Sequence, residues 1–247
     1  MEPEVFELIC TRDGDVLTLT LNRDPKANSL SPSLVEDLIM ALDQAGDARV
    51  AIIQGQGKHF CTGFDLSDIA DLSDGDLLWR FVRIEFLLQK IYLSPFPIIA
   101  LGHGEIVGAG ADLFAACWRR VLAPGAKLKM PGWNFDLALG TRRLAALIGQ
   151  DAARDMLIDT KSISAEVAFD IGLATDLVGK ENWEVFAARF AARARALPFH
   201  ATSRMMELTR TPGEVDHDLA ALVRSAAEPG LKARLEAYRS RAKRKKN

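Results

Sequence analysis

The chain has 247 residues, of which 49% are hydrophobic, and a formal net charge of -2, so it can bury one large core and carries no global field for drawing in nucleic acid or an acidic membrane. Its three cysteines, Cys10, Cys61 and Cys117, are widely spaced and odd in number, which argues against a disulfide framework or a zinc knuckle and suits a reduced, cytoplasmic setting. The opening MEPEVFELIC has no basic n-region and no run of about 18 apolar residues occurs anywhere, so neither a secretion signal nor a membrane span is expected.

In chain order, the β-rich runs Phe6 to Thr11 and Val16 to Asn22 flank Asp13-Gly14 and predict a hairpin. Ser31-Pro32 is an N-cap and first-turn signal for a helix whose apolar positions Leu34, Val35, Leu38, Ile39 and Leu42 continue to Gly46. Val50 to Gln54 is apolar on both faces, as befits a strand buried between layers. A glycine-bearing loop from Gly55 to Phe64 follows, then a helical pattern from Asp76 to Tyr92, a strand from Pro97 to Leu101 and a helix from Ala109 to Trp118. This alternation is the grammar of an α/β layer architecture. From about Leu137 onward the pattern is nearly all helical, with Ser164-Ala165-Glu166 starting one helix, Gly172 stopping it, and Ala174 to Val178 as the further strand. Breaks fall at Pro198 and Pro212-Gly213. The division drawn is an α/β core over residues 1–195 and a helical C-terminal region over 196–247, packed on that core or on a neighbouring subunit. Its basic tail (Arg239, Arg241, Lys243, Arg244, Lys245, Lys246) reads either as a solvated end or as a phosphate-binding arm.

The stretch EIVGAGADL at 105–113 pares its side chains to a methyl or less at Gly108, Ala109, Gly110 and Ala111, then places Asp112 behind them. It follows a buried strand across Gly102-His103-Gly104, where a helix begins. Amides at a helix start lack internal partners and sit at the positive end of the dipole, so small residues there let an anionic oxygen approach. Close helix-on-strand packing explains the same residues. The loop Gly57 to Leu66 also follows a buried strand, and two such loops at one sheet edge can aim two amides at one oxygen, forming an oxyanion hole. The stretch lacks the third glycine of a dinucleotide fingerprint, and the P-loop, the G-x-S-x-G elbow and the H-E-x-x-H zinc motif are absent. His59, His103, His200 and His217 show no metal-ligand spacing, so no metal is expected.

Four ordered segments, LNRDPKANSL at 21–30, FCTGFDL at 60–66, PIIA through GAGAD at 97–112 and ISAE at 163–166, resemble the crotonase (enoyl-CoA hydratase/isomerase) superfamily over roughly residues 5 to 180. The resemblance implies a ClpP/crotonase-like spiral of ββα units with a helical C-terminal region, and an acyl-CoA substrate whose thioester carbonyl is held by the amides of Phe64 and Ala109. Phe64 stands where family members carry alanine or glycine; the amide remains, while the ring reshapes the acyl pocket. Lys26, Ala27 and Ser29, with Thr62, Gly63, Asp65 and Leu66, match the loops that cradle CoA, Lys26 and Lys58 face its phosphates, and Gly108, Pro131 and Gly132 complete the substrate contacts. Asp112 matches one of the two acidic positions that hydratases use to add water; the second is Gly132 here. Asp136 lies near a working aspartate of some isomerases and dehalogenases, as base or nucleophile, or else caps a helix before Leu137. The implied activity is that of an enoyl-CoA hydratase or isomerase of fatty acid metabolism working through an enolate. A decarboxylase or hydrolase of the same superfamily, or a catalytically silent acyl-CoA-binding scaffold, stand as alternatives. No tightly bound cofactor is implied, coenzyme A entering with the substrate, and the implied assembly is a homotrimer or dimer of trimers.

Overall fold

In the computed structural model, residues 6–210 and 214–244 are described. Pro212-Gly213 and the last basic residues Lys245 and Lys246 lie outside them. Strands β1 (Leu8–Asp13) and β2 (Val16–Leu21) form the antiparallel hairpin, with Leu8 opposite Leu21 and Asp13 opposite Val16. The turn places Gly14 at φ 57°. Helix α1 (Pro32–Asp43) starts where Ser31 accepts the Leu34 amide, and leads to β3 (Val50–Gly55). Helix α2 (Asp74–Tyr92) starts two residues earlier than its apolar pattern predicts, because Ser73 and Asp76 form a reciprocal capping box. Then come β4 (Ile98–Gly102), β5 (Glu105–Val107), α3 (Ala109–Ala116), β6 (Arg119–Leu122) and β7 (Lys127–Lys129).

The second half holds α4 (Thr141–Ile148), α5 (Gln150–Asp159), β8 (Ile163–Ser164), α6 (Ala165–Asp170), β9 (Asp176–Leu177) and α7 (Trp183–Arg195). Helices α8 (Phe199–Leu208), α9 (Glu214–Ala227) and α10 (Leu231–Arg244) follow. A six-stranded sheet runs β1-β2-β3-β4-β6-β9, parallel after the hairpin, and β5-β7-β8 form a second sheet. Helix α3 starts at Ala109, where its pattern places it, with the short strand β5 standing between it and Gly104, and β8 interrupts the half that reads as helical.

Strand alternation sorts the main sheet into two buried faces. Ala51, Ile53, Ile98 and Ala100 enter the large core with Leu34 and Leu38 of α1, Leu87 and Leu88 of α2 and Phe114 of α3. Val50, Ile52, Ile99, Leu101 and Val121 turn the other way and pack against Trp183, Ala187 and Phe190 of α7. A third cluster joins Leu77 and Phe81 of α2 to Leu222 of α9 and Leu231 and Leu235 of α10. This third cluster carries the C-terminal helices onto the edge where the loops after β3 and β5 meet.

Candidate active site

The two loops converge through backbone pairing. Leu30 donates to the Gly63 carbonyl at 2.7 Å and accepts from Asp65 N at 3.3 Å. The groups flanking Phe64 therefore face Leu30, and pleating turns the Phe64 N–H to the opposite side. On that side Val107 N donates to Cys61 O at 3.0 Å, drawing β5 alongside. Gly108 follows at φ 55°, ψ -126°, a conformation suited to glycine, and Ala109 opens α3 with a first-turn amide that has no intrahelical acceptor. Among the described residues neither the Phe64 nor the Ala109 amide donates to a backbone carbonyl. Between them sits Gly63 at φ 87°, where a methyl would lie 3.0 Å from Ala109 N and 2.5 Å from Val107 O. Phe64 and Ala109 both line one cavity of about 80 Å³.

The small-residue stretch divides between cavity wall and close packing. Gly108 and Ala109 border the cavity, whereas a Cβ on Gly110 would run into the Cys61 carbonyl. Gly110 is therefore the close contact of helix on strand.

Asp112 is 5% exposed and lines the same cavity. Its Oδ1 lies against Gly140, where a Cβ would collide with the carboxyl, and has no hydrogen-bond partner among the described residues. Burial pushes the Asp112 carboxyl well above the usual carboxylate range; Arg143 opposes this, and Glu85 and Asp218 add to it. Behind Asp112, Arg143 donates to Glu85 at 2.9 and 2.6 Å and to Asp218 at 3.0 Å, all three side chains being buried. This cluster joins α2, α4 and α9, and no local pattern in the sequence announces it.

Asp136 departs from the sequence expectation. It is exposed, lies outside the cavity lining, and takes a left-handed conformation (φ 52°) at the C-terminal end of the 3₁₀ turn Gly132–Phe135, so it neither faces the oxyanion amides nor caps a helix at its start. Pro131 and Gly132 do line the cavity, and the position of the second acid presents no side chain.

The expected CoA-cradling residues divide in the same way. Thr62, Leu66 and Gly108 line the cavity, and Gly63 is buried beneath it. Ala27, at φ 50°, offers its carbonyl to the Thr62 amide and hydroxyl, each at 3.1 Å, tying the first loop to the second. The Ser29 and Asp65 side chains are spent inside this scaffold rather than presented to a ligand. Ser29 Oγ accepts from Arg23 at 3.1 Å. The Asp65 carboxylate accepts from Arg23 at 2.8 Å and from the Ser67 amide and hydroxyl at 3.0 and 2.7 Å. Burial works against ionisation of Asp65, yet the Ser67 and Arg23 bonds hold it below its ordinary range. Lys26 is exposed with Nζ 3.3 Å from Ser67 Oγ. Lys58 is also exposed, lies outside the cavity lining, and donates its amide to Asp24 at 3.1 Å. Of the histidines, His103 Nε2 bonds the Gly57 carbonyl at 2.9 Å and His59 Nδ1 accepts the Glu105 amide at 3.0 Å.

Phe64 has a niche of its own. Its ring stacks on Phe81 at 4.3 Å, and the Arg80 guanidinium lies 4.3 Å from its centroid, held by Asp68 at 2.8 Å and the Asp65 carbonyl at 3.0 Å. The cavity is completed by Leu235 and Tyr238 of α10, with Tyr238 against Phe135 at 5.0 Å. Helix α10 is tied down where Asp74 accepts the Gly230 and Lys232 amides at 3.0 and 2.8 Å and Arg234 donates to the Phe135 carbonyl at 3.0 Å. The helical spacing of Leu231, Leu235 and Tyr238 was the available signal for this wall.

An α/β core whose two loops border one cavity with a buried carboxyl is the arrangement of a hydratase/isomerase-type enzyme. The sequence pattern of the enoyl-CoA hydratase/isomerase family matches residues 11–222, and the chain belongs to that family. It is 35% identical over 196 residues to a probable enoyl-CoA hydratase of Mycobacterium tuberculosis (strain CDC 1551 / Oshkosh), covering 77% of this chain and 79% of that protein. A probable enoyl-CoA hydratase of Bacillus subtilis (strain 168) is 34% identical over 197 residues, with 74% and 75% covered. A solved structure from Bordetella parapertussis, described under enoyl-CoA hydratase/isomerase, superposes with a TM-score of 0.93 at 41% identity, covering 95% of this chain and 98% of that one.

Proposed function

We propose that this enzyme of the hydratase/isomerase type works on enoyl-CoA thioesters with a single carboxyl. The Phe64 and Ala109 amides hold the thioester oxygen as it gains charge in the enolate, each donor worth about 2.7–4 kcal/mol in the transition state. Asp112, whose raised pKa lets it both take and return a proton nearer neutral pH, moves the proton along the acyl chain, a contribution of about 10²–10⁴-fold. The observation that carries this reading is that Phe64 and Ala109, whose amides donate to no backbone carbonyl among the described residues, line one cavity with a buried acid. Gly132 supplies no second carboxyl, which favours shifting a double bond, a task for one proton carrier, over adding water.

The test is a panel of 2-enoyl-, 3-enoyl- and malonyl-type CoA thioesters in deuterated water, followed by absorbance of the conjugated thioester and by mass spectrometry, with wild type and Asp112→Asn. Conversion of 3-enoyl- to 2-enoyl-CoA with label uptake, slowed at least 100-fold in the variant, is the expected result. Turnover that Asp112→Asn leaves untouched would remove Asp112 from the mechanism, and tight binding without turnover would favour a silent binder. The same reading includes a cytoplasmic enzyme of fatty acid metabolism with no tightly bound cofactor, assembled as a homotrimer or a dimer of trimers. Exposed Val185, Phe199 and Leu208 on α7 and α8 offer apolar contact surface for that assembly, which light scattering on the purified protein would test. No described helix is long and apolar enough to cross a membrane.

A further inference from the structure

The cavity at the oxyanion amides is small, about 80 Å³, and its wall is shared. Trp133 and Leu157 line it and also line a second, more open hollow of about 440 Å³ on the protein surface. That hollow is bordered by Ile158, Thr141, Arg154 and Thr160, and Ile158 is 79% exposed although apolar. Trp133 stands on the 3₁₀ turn Gly132–Phe135 and is 44% exposed, and its indole N–H donates to Thr141 Oγ1 at 3.3 Å. The indole is therefore a partition between two spaces, anchored lightly on one edge.

Resting on the acyl-thioester reading of the site, we propose that acyl chains too long for the inner cavity pass between Trp133 and Leu157, and that their distal methylenes lie in the outer groove against Ile158. The continuity of the two linings is what assigns the occupant. An outer groove that begins at the wall of the reaction cavity is reached by the far end of a bound substrate, and its apolar floor matches hydrocarbon. Trp133 is then the residue that sets chain-length preference, and Ile158 is the exposed hydrophobe that the tail covers.

Burying one methylene completely is worth about fourfold in affinity; in a groove open on one side about twofold is expected for each methylene that reaches it. Saturated acyl-CoAs from butyryl to dodecanoyl, which cannot react as enoyl thioesters do, serve as probes in calorimetric titrations. The dissociation constant should fall by about tenfold or more between the shortest and longest chains in wild type. Ile158→Asp, a surface change with little consequence for folding, should remove most of that gain. Met40→Asp, at an exposed methionine of α1 outside the groove, should keep it. Trp133→Ala should shift the onset of the gain toward shorter chains. A flat chain-length profile in wild type, or an unchanged profile in Ile158→Asp, overturns the groove assignment while leaving the site reading intact. Failure of butyryl-CoA and of every longer thioester to bind overturns both.

Discussion

Replacing Gly63 by alanine tests the oxyanion geometry at its narrowest point. Gly63 sits at φ 87°, where an L-residue pays about 1–2 kcal/mol. Its new methyl would also lie 2.5 Å from the Val107 carbonyl oxygen, about 0.8 Å inside a comfortable C···O contact of ~3.3 Å. Relief requires the loop bearing Phe64 and the start of α3 to separate by that order of distance, and a misplacement of ~1 Å is worth about a hundredfold in rate. The expected result is a kcat lower by about 10²-fold, together with a melting temperature lower by about 2–8 °C for a chain of this size. Gly125→Ala provides the control, because Gly125 shares the left-handed backbone (φ 79°) but has nothing within 4 Å of the added carbon. It should lose the stability that the backbone strain alone costs and keep its kcat. Steady-state kinetics on the preferred enoyl-CoA and thermal unfolding followed by circular dichroism read both quantities. A folded Gly63→Ala enzyme with wild-type kcat would refute the shared-oxyanion argument.

Three further outcomes follow from the buried acids and the missing one. Asp112→Asn should become more stable than wild type as pH rises: below the ordinary aspartate value of about 3.9 both chain states hold the proton, while above it only the unfolded wild type ionises, costing the fold about 1.4 kcal/mol per pH unit until the raised native value is passed. Urea titrations at pH 4 and pH 7 check the sign, and a variant advantage that shrinks with pH would reverse it. Arg143→Met removes the buried cation that pairs Glu85 and one of the two arginines at Asp218, and should lose about 3–5 kcal/mol of stability by the same titration. Gly132→Glu places a second carboxyl on the cavity wall with its Cβ 3.0 Å from the Leu137 carbonyl, a tight fit that a small shift relieves. Hydration of crotonyl-CoA relative to isomerisation should rise at least tenfold, and no change would show that the wall at 132 does not face the reacting carbons.

What the sequence disclosed was whatever is written in local periodicity or in a short signature. The hairpin, the Ser31 cap and the doubly buried strands β3 and β4 fall in this group, and so do the two amide-bearing loops. Strands β5, β7 and β8 are two or three residues long, and their pairing joins Glu105 to Lys127 and Leu128 to Ile163 across long stretches of chain. No window of alternation could reveal them. The Arg143 cluster was hidden for the same reason, since its partners stand 58 and 75 residues away. Asp136 misled because its neighbourhood in sequence resembles a helix start, whereas Leu137 is pulled inward with α2 and α10 and leaves the aspartate at the surface. The engagement of the Asp65 and Ser29 side chains inside the scaffold was not legible, because the arginine that claims their oxygens stands 42 and six residues away, respectively.

The chamber is built from two distant stretches of chain with separate duties. Phe64 and Ala109 belong to segments locked into the sheets, while Leu235 and Tyr238 arrive on a helix fastened by a few bonds to Asp74 and Phe135. On the acyl-thioester reading proposed above, substitutions along α10 alter the room given to the acyl group and leave the Phe64 and Ala109 segments in place, so substrate choice is open to evolutionary drift while the reaction itself stays put.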